Sequence, residues 1–201
     1  MKKLIISLTL AFAAMTLSAQ ESPIFLQQGM QSFSGFVSFS NNSLFQQTTG
    51  ILYNYYFQDD FAIRANVRLG YNNHTDEYSF GAETTERTTV NNDIRLGFGV
   101  QKSLIKSRRF NGYIAADALA GLLSEKRIYN NNTDESSSFE FGIRPAMGIE
   151  FHFVNNFFVG LEWGYDVLFN NKEIDDNQKV NNTILDIADL SAASLRIGFN
   201  F

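Results

Sequence analysis

From Phe61 onward the chain alternates. Phe61, Ile63, Ala65, Val67, Leu69 and Tyr71 take the odd positions, and Arg64, Asn66, Arg68, Gly70 and Asn72 lie between them. Successive side chains on a strand point to opposite sides, so a period of about two marks a strand with unlike faces; a helix would repeat near ~3.6. The pattern returns from Phe139 to Phe153, from Val159 to Phe169, and at Leu195, Ile197, Phe199 and Phe201. Shorter versions occupy Phe33 to Phe39, Ile51 to Phe57, Ile94 to Val100 and Ile114 to Leu122, so eight strands are predicted.

Their connections differ in length in an ordered way. Gln58 to Asp60, Lys102 to Arg109 and Val154 to Asn156 are short, whereas about Asn72 to Asn91, Lys126 to Ser137 and Asn170 to Thr183 are long and polar. The first, near Asn41 to Leu44, is short out of turn. Antiparallel neighbours joined this way gather the long loops at one end and the tight turns at the other. The expectation is an up-and-down meander with one elaborated rim.

Alternation alone does not say which face points inward, because a soluble barrel and a membrane barrel share the period. The polar face decides. It holds Gly50, Gly70, Gly97, Gly99, Gly121, Gly142, Gly148, Gly160, Gly164 and Gly198. Glycine within a strand costs about 0.5–1 kcal/mol relative to alanine, a loss without return on a solvated face. Inside a closed eight-stranded barrel it makes room for large neighbours. Those neighbours share the face: Arg64, Arg68, Arg95, Arg144 and Arg196 with Asp93, Asp117, Glu140, Glu150, Glu162 and Asp166. They are expected to form a lumen charge network. Aromatic residues gather toward the ends of the apolar face, at Tyr53, Tyr55 and Phe57, Tyr71, Phe151 to Phe157, and Trp163, Tyr165 and Phe169, as membrane girdles require.

Composition narrows the class. Lys2 and Lys3, the apolar run Leu4 to Met15 and the small-residue site Leu17-Ser18-Ala19 read as a secretory leader. Residues 1–19 are expected to be cleaved and 20–201 to form one domain. The run is shorter than the ~20 residues of a spanning helix, and no later stretch reaches that length, which excludes a helical membrane protein. Cysteine is absent, so disulfides, thiolate metal sites, a cysteine nucleophile and a lipidated cysteine drop out. Without Lys2 and Lys3 the chain has 14 basic and 21 acidic residues, a net charge of −7 that argues against nucleic acid or an anionic membrane surface as a partner.

The leader, the turn Tyr56-Phe57-Gln58-Asp59-Asp60-Phe61 and the ending Leu195-Arg196-Ile197-Gly198-Phe199-Asn200-Phe201 together carry a resemblance. The sequence resembles the small eight-stranded outer-membrane β-barrels of Gram-negative envelopes, the porin-like group typified by outer membrane proteins A and X. The resemblance implies an all-β, antiparallel, up-and-down transmembrane barrel with short periplasmic turns and longer extracellular loops. It also implies a non-enzymatic protein of the outer membrane, in contact with outer-membrane lipid and lipopolysaccharide, monomeric, and without cofactor or metal. Leu195, Ile197, Phe199 and Phe201 look like the terminal signal read by the barrel assembly machinery.

Other readings attach to particular residues. The lumen charges either plug the barrel or line a narrow porin-like channel. His74, beside Thr75, Asp76 and Ser79, is the one candidate for acyl-transfer chemistry on lipid A. His152, between Phe151 and Phe153, is expected as a satisfied lumen residue. Glu173, Asp175 and Asp176 lack the spacing of a calcium loop. A soluble periplasmic ligand-binding barrel is the structural alternative.

Overall fold

The computed structural model describes residues 27–40, 47–80, 83–107, 109–129, 132–154, 156–172, 183–186 and 191–201. The segments are β1 (Gln31–Ser40), β2 (Gln47–Gln58), β3 (Phe61–Phe80), β4 (Glu83–Lys106), β5 (Phe110–Tyr129), β6 (Asn132–Val154), β7 (Phe157–Tyr165), β8 (Val167–Lys172), β9 (Thr183–Asp186) and β10 (Ser191–Asn200). Every pairing is antiparallel, β1 to β7 pair in chain order, and β1 pairs with β10, so the sheet closes into a ring. β7 and β8 both pair with β6, while β10 continues β9 along their other side. Ten segments therefore make eight barrel strands. The interruption at Asp166 has a local cause: the register of Ala146 with Gly164 and of Ile143 with Val167 sets Pro145 opposite Tyr165, and proline brings no N–H to the ladder.

The faces are inverted relative to a soluble barrel. Arg64, Arg68, Arg144 and Arg196 are buried inside, while Phe33, Ile51, Leu69, Phe98, Phe141, Leu161 and Trp163 are exposed outside. A soluble ligand-binding barrel needs the opposite arrangement, and that alternative falls. Across β3 to β6 the outward row Leu69, Ile94, Leu122 and Phe139 is wholly apolar, and the next row up is Tyr71, Asn92, Ser124 and Ser137. From there down to Phe61 the apolar belt runs about ten residues, the length a tilted strand needs to cross a membrane. At the short-turn end, ring centroids lie 6.0 Å apart for Phe33 and Phe199, 6.3 Å for Phe157 and Phe199, 6.4 Å for Phe153 and Phe157, and 5.5 Å for Phe199 and Phe201. These rings form an aromatic belt.

Two expected loops are strands. β3 and β4 stay paired from Phe61↔Lys102 to Phe80↔Glu83, and β5 and β6 from Phe110↔Phe151 to Tyr129↔Asn132. Asn72 to Phe80, Glu83 to Asn91, Lys126 to Tyr129 and Asn132 to Ser137 are thus ladder, and the short turn after Lys102 is trimmed because β4 continues to Lys106. The ladder carries no apolar alternation because water bathes both of its faces. Its Thr, Tyr and Val content still favours extended backbone. The first connection falls outside the described residues, as do residues 173–182 with Glu173, Asp175 and Asp176.

Candidate functional site: a charged lumen beneath a four-stranded wall

The lumen is built in layers across β3 to β6. The register sets Arg64, Gly99, Asp117 and Arg144 in one inward row, Asn66, Gly97, Leu119 and Gly142 in the next, and Arg68, Arg95, Gly121 and Glu140 above. Large and small residues alternate so that long side chains have space to cross the bore. At Gly164 an added Cβ would collide with the Arg144 guanidinium, and at Gly148 with the Tyr113 ring.

Glu162 is the hub. Arg64 Nη2 donates to both of its oxygens, at 3.2 and 3.0 Å, and Tyr113 Oη donates at 2.8 Å. Arg196 Nη1 lies 3.4 Å from Oε2 and Arg144 Nη2 3.9 Å from Oε1. Each arginine has a second carboxylate: Arg64 reaches Asp117 at 3.2 Å, Arg196 reaches Glu150 at 3.3 Å, and Arg144 reaches Asp166 at 2.7 Å. Higher in the bore, Arg95 lies 3.1 Å from Asp93, 3.1 Å from Glu140 and 3.6 Å from Asp166. Arg68 differs: its Nε donates to Asn66 Oδ1 at 3.0 Å and its guanidinium sits 5.5 Å from the Phe36 ring centre. All eleven residues of the expected network therefore face the lumen, ten of them buried and Arg95 half-buried at the top.

Sequence reading missed the uncharged partners. Tyr113 both donates to Glu162 and accepts from Arg196, and Gln101 donates to Tyr56 Oη at 3.1 Å. Their parity with Asp117 on β5 and with Asp93 on β4 was the available signal. His152 is buried near the short-turn end, its Nδ1 3.4 Å from Asn200 Nδ2 and its ring 5.4 Å from Phe158.

Above the belt, β3 to β6 continue upward as a wall. Its inward face holds the rows Asn72, Asn91, Glu125, Ser136 and His74, Thr89, Arg127, Asp134, followed by Asp76, Arg87, Tyr129, Asn132. The Arg87 guanidinium lies 5.0 Å from the Tyr129 ring centre. On the outward face Lys126 Nζ is 2.9 Å from Glu135 Oε1. The Lys126 ammonium holds the Glu135 carboxyl below the usual glutamate range. His74 is 68 % exposed, and its Nε2 lies 2.7 Å from Asp76 Oδ1. It stands on the face turned away from lipid, so the arrangement does not bring it to an acyl chain.

A family model for the outer membrane protein beta-barrel domain matches residues 4–200. The chain belongs to that family. Among solved structures, this family member is similar to Ail, the attachment invasion locus protein of Yersinia pestis, at 11 % identity over 87 % of this chain and 100 % of that one, with a TM-score of 0.50. It is also similar to the N-terminal β-barrel domain of Pseudomonas aeruginosa OprF, at 16 % identity over 87 % and 98 % of the two chains, with a TM-score of 0.43. Neisserial surface protein A follows at 14 % identity over 85 % and 94 %, with a TM-score of 0.37. No curated sequence matches the family member. At these identities the likeness is one of fold.

Proposed function

We propose that this barrel is a non-enzymatic protein of the outer membrane that holds a rigid wall above the outer surface for contact with other macromolecules, its lumen closed by the arginine and carboxylate network. The observation that carries the reading is the unbroken ladder of β3 to β6 beyond the apolar belt. About ten residues per strand, or ~33 Å of extended chain, stand clear of the membrane. Among the described residues the pairing of β3 with β2 runs to Tyr71 and that of β6 with β8 to Ser138, both at the foot of the wall. Residues 72–91 and 123–138 hold seven carboxylates and three Lys or Arg, which disfavours polyanions and favours neutral or cationic partners.

Closure is supported by the density of paired groups. Beside Arg68, Glu162 and Arg196 some 210 Å³ of interstices remain, into which no water-sized sphere fits. The pairing of β1 with β10 leaves no barrel edge for a second copy, in keeping with a monomer. In this reading Phe199 and Phe201, which lie on the aromatic belt, serve the assembly machinery, and the short turns face the periplasm. The test is removal of residues 74–89 with a two-residue turn in their place. The shortened barrel should keep its slow gel migration before boiling and lose capture of surface partners by the intact cell. Discrete conductance of the whole protein in planar bilayers, or collapse of the barrel on shortening, would overturn the reading.

A further inference from the structure

The outward face of β5 is a run of small residues between two ridges. Ala116, Ala118 and Ala120 pair with Val100, Phe98 and Leu96 of β4 on one side and with Pro145, Ile143 and Phe141 of β6 on the other. The flanking Leu96, Phe98, Phe141 and Ile143 are among the most exposed apolar side chains of the barrel. Neighbouring strands lie about 4.8 Å apart, so the ridges enclose a channel about two strand spacings wide, floored by methyl groups. At its short-turn end stands Lys102, opposite Ile114.

Lys102 is the one charged side chain on the outward face between the two rims, among the described residues. Its ammonium lies 5.1 Å from the Phe61 ring centre, and no carboxylate among the described residues forms an ion pair with it. The nearby Asp60 is taken by Lys106, whose Nζ is 2.8 Å from its Oδ1. From Lys102 to the level of Ala120 the groove spans six residue steps of β5, Ile114 to Ala120. At about 3.3 Å per residue and a tilt near 40° this covers ~15 Å of depth, half of the ~30 Å hydrocarbon core.

We propose that this groove binds one acidic phospholipid of the periplasmic leaflet, with an acyl chain lying over Ala116, Ala118 and Ala120 and the headgroup phosphate on Lys102. The two halves of the groove fit the two halves of that molecule. An apolar trough one leaflet deep takes the chain, and an unpaired cation at the leaflet's edge takes the anion. A lysine whose stem lies on apolar surface can extend its ammonium to the headgroup level. The expectation that net negative charge disfavours an anionic membrane surface does not extend to this groove, because the carboxylates among the described residues lie in the lumen and at the rims.

The proposal rests on the outer-membrane reading, and the two fail differently. The test is native mass spectrometry of the detergent-folded barrel titrated with phosphatidylglycerol, alongside phosphatidylcholine. Wild type should retain one phosphatidylglycerol in preference to phosphatidylcholine. Lys102→Gln should weaken retention about fivefold, the equivalent of about 1 kcal/mol for one cation at a membrane surface. Ala118→Leu, which fills the trough on a face that plays no part in folding the lumen, should weaken it at least as much. Lys126→Gln, at the opposite rim, should leave it unchanged. Equal retention of both lipids, or retention unaffected by Lys102→Gln and Ala118→Leu in variants whose gel migration shows a folded barrel, would overturn the groove. A chain that folds and stays dispersed without detergent would instead overturn the membrane reading itself.

Discussion

Glu162→Gln is the sharpest probe of the closed lumen. The substitution keeps shape and removes one negative charge from a position that Arg64 contacts at 3.0 Å, Arg196 at 3.4 Å and Arg144 at 3.9 Å. Breaking a buried ion pair by removing one partner costs about 3–5 kcal/mol, while losing the charge assistance of one hydrogen bond costs about 1–2 kcal/mol. Each arginine keeps a second carboxylate in Asp117, Glu150 or Asp166, which places the expected loss between these bounds, near 3 kcal/mol. Urea unfolding of the barrel in phospholipid vesicles measures it, followed by the fluorescence of Trp163, the only tryptophan, which faces outward. Linear extrapolation converts the midpoint shift into free energy. Arg64→Met alone and together with Glu162→Gln completes a cycle, and the pair should be coupled by about 1.5–3 kcal/mol. In a water-filled channel the same pair would be screened as on a surface and cost less than about 1 kcal/mol. A loss below that value with additive single effects refutes the closed lumen.

Four further outcomes test other parts of the molecule. Leu161, outward between Ile149 and Leu195, should tolerate Arg poorly, at about 2–4 kcal/mol in vesicle unfolding, and a cost under about 1 kcal/mol would mean that this face does not meet lipid. Gly164→Val drives a side chain into the Arg144 guanidinium and should cost about 1–3 kcal/mol, whereas Gly35→Ala, whose added Cβ would meet only the Gly50 carbonyl oxygen at 4.0 Å, should stay within about 0.5 kcal/mol; equal effects would refute the packing argument. Deleting Phe201 removes its two backbone hydrogen bonds with Gln31, each 2.9 Å, and should slow folding into vesicles more than it lowers stability; an unchanged folding rate would dismiss the terminal signal. Glu135 should titrate below the ordinary glutamate range by NMR, and Lys126→Gln should return it there. Since its charged form is favoured in the fold, its contribution is present at neutral pH and lost as pH falls through the lowered value; a titration indifferent to Lys126→Gln would refute the pair.

What the sequence revealed depended on whether a strand has two different environments. Where β3 passes lipid on one side and lumen on the other, Ile63 and Arg64 or Val67 and Arg68 differ enough for the period to be read directly. Ten residues further the same strand meets water on both sides, and Asn73, His74 and Thr75 show no contrast, so a rigid hairpin resembled a loop. Parity was the missing tool, for it extends from Arg68 through Gly70, Asn72 and His74 without a break. The charged members of the lumen were legible because charge on an alternating strand demands a reason. Tyr113 was not, because a lone tyrosine two residues from Ala115 looks like either face until Asp117 fixes the parity. The break at Asp166 was legible only with the register, which sets Pro145 across from Tyr165.

The register also ties the wall to the lumen. A slip of one residue would exchange lumen and lipid faces along a whole strand, so register is strongly fixed wherever the belt and the lumen oppose each other. In the described ladders the register shifts fall at Tyr56/Gln58, Ser103/Ile105 and His152/Val154, all at the short-turn end. The chain absorbs its irregularities there, as barrel rims do. Upward from Arg64, Gly99, Asp117 and Arg144 no shift interrupts β3 to β6, so the ion pairs of the lumen set the position of Asp76, Arg87, Tyr129 and Asn132 at the top of the wall. A wall built this way keeps one orientation relative to the lumen. Loosening the lumen at Glu162 should therefore be felt in the wall, although no wall residue touches that carboxylate.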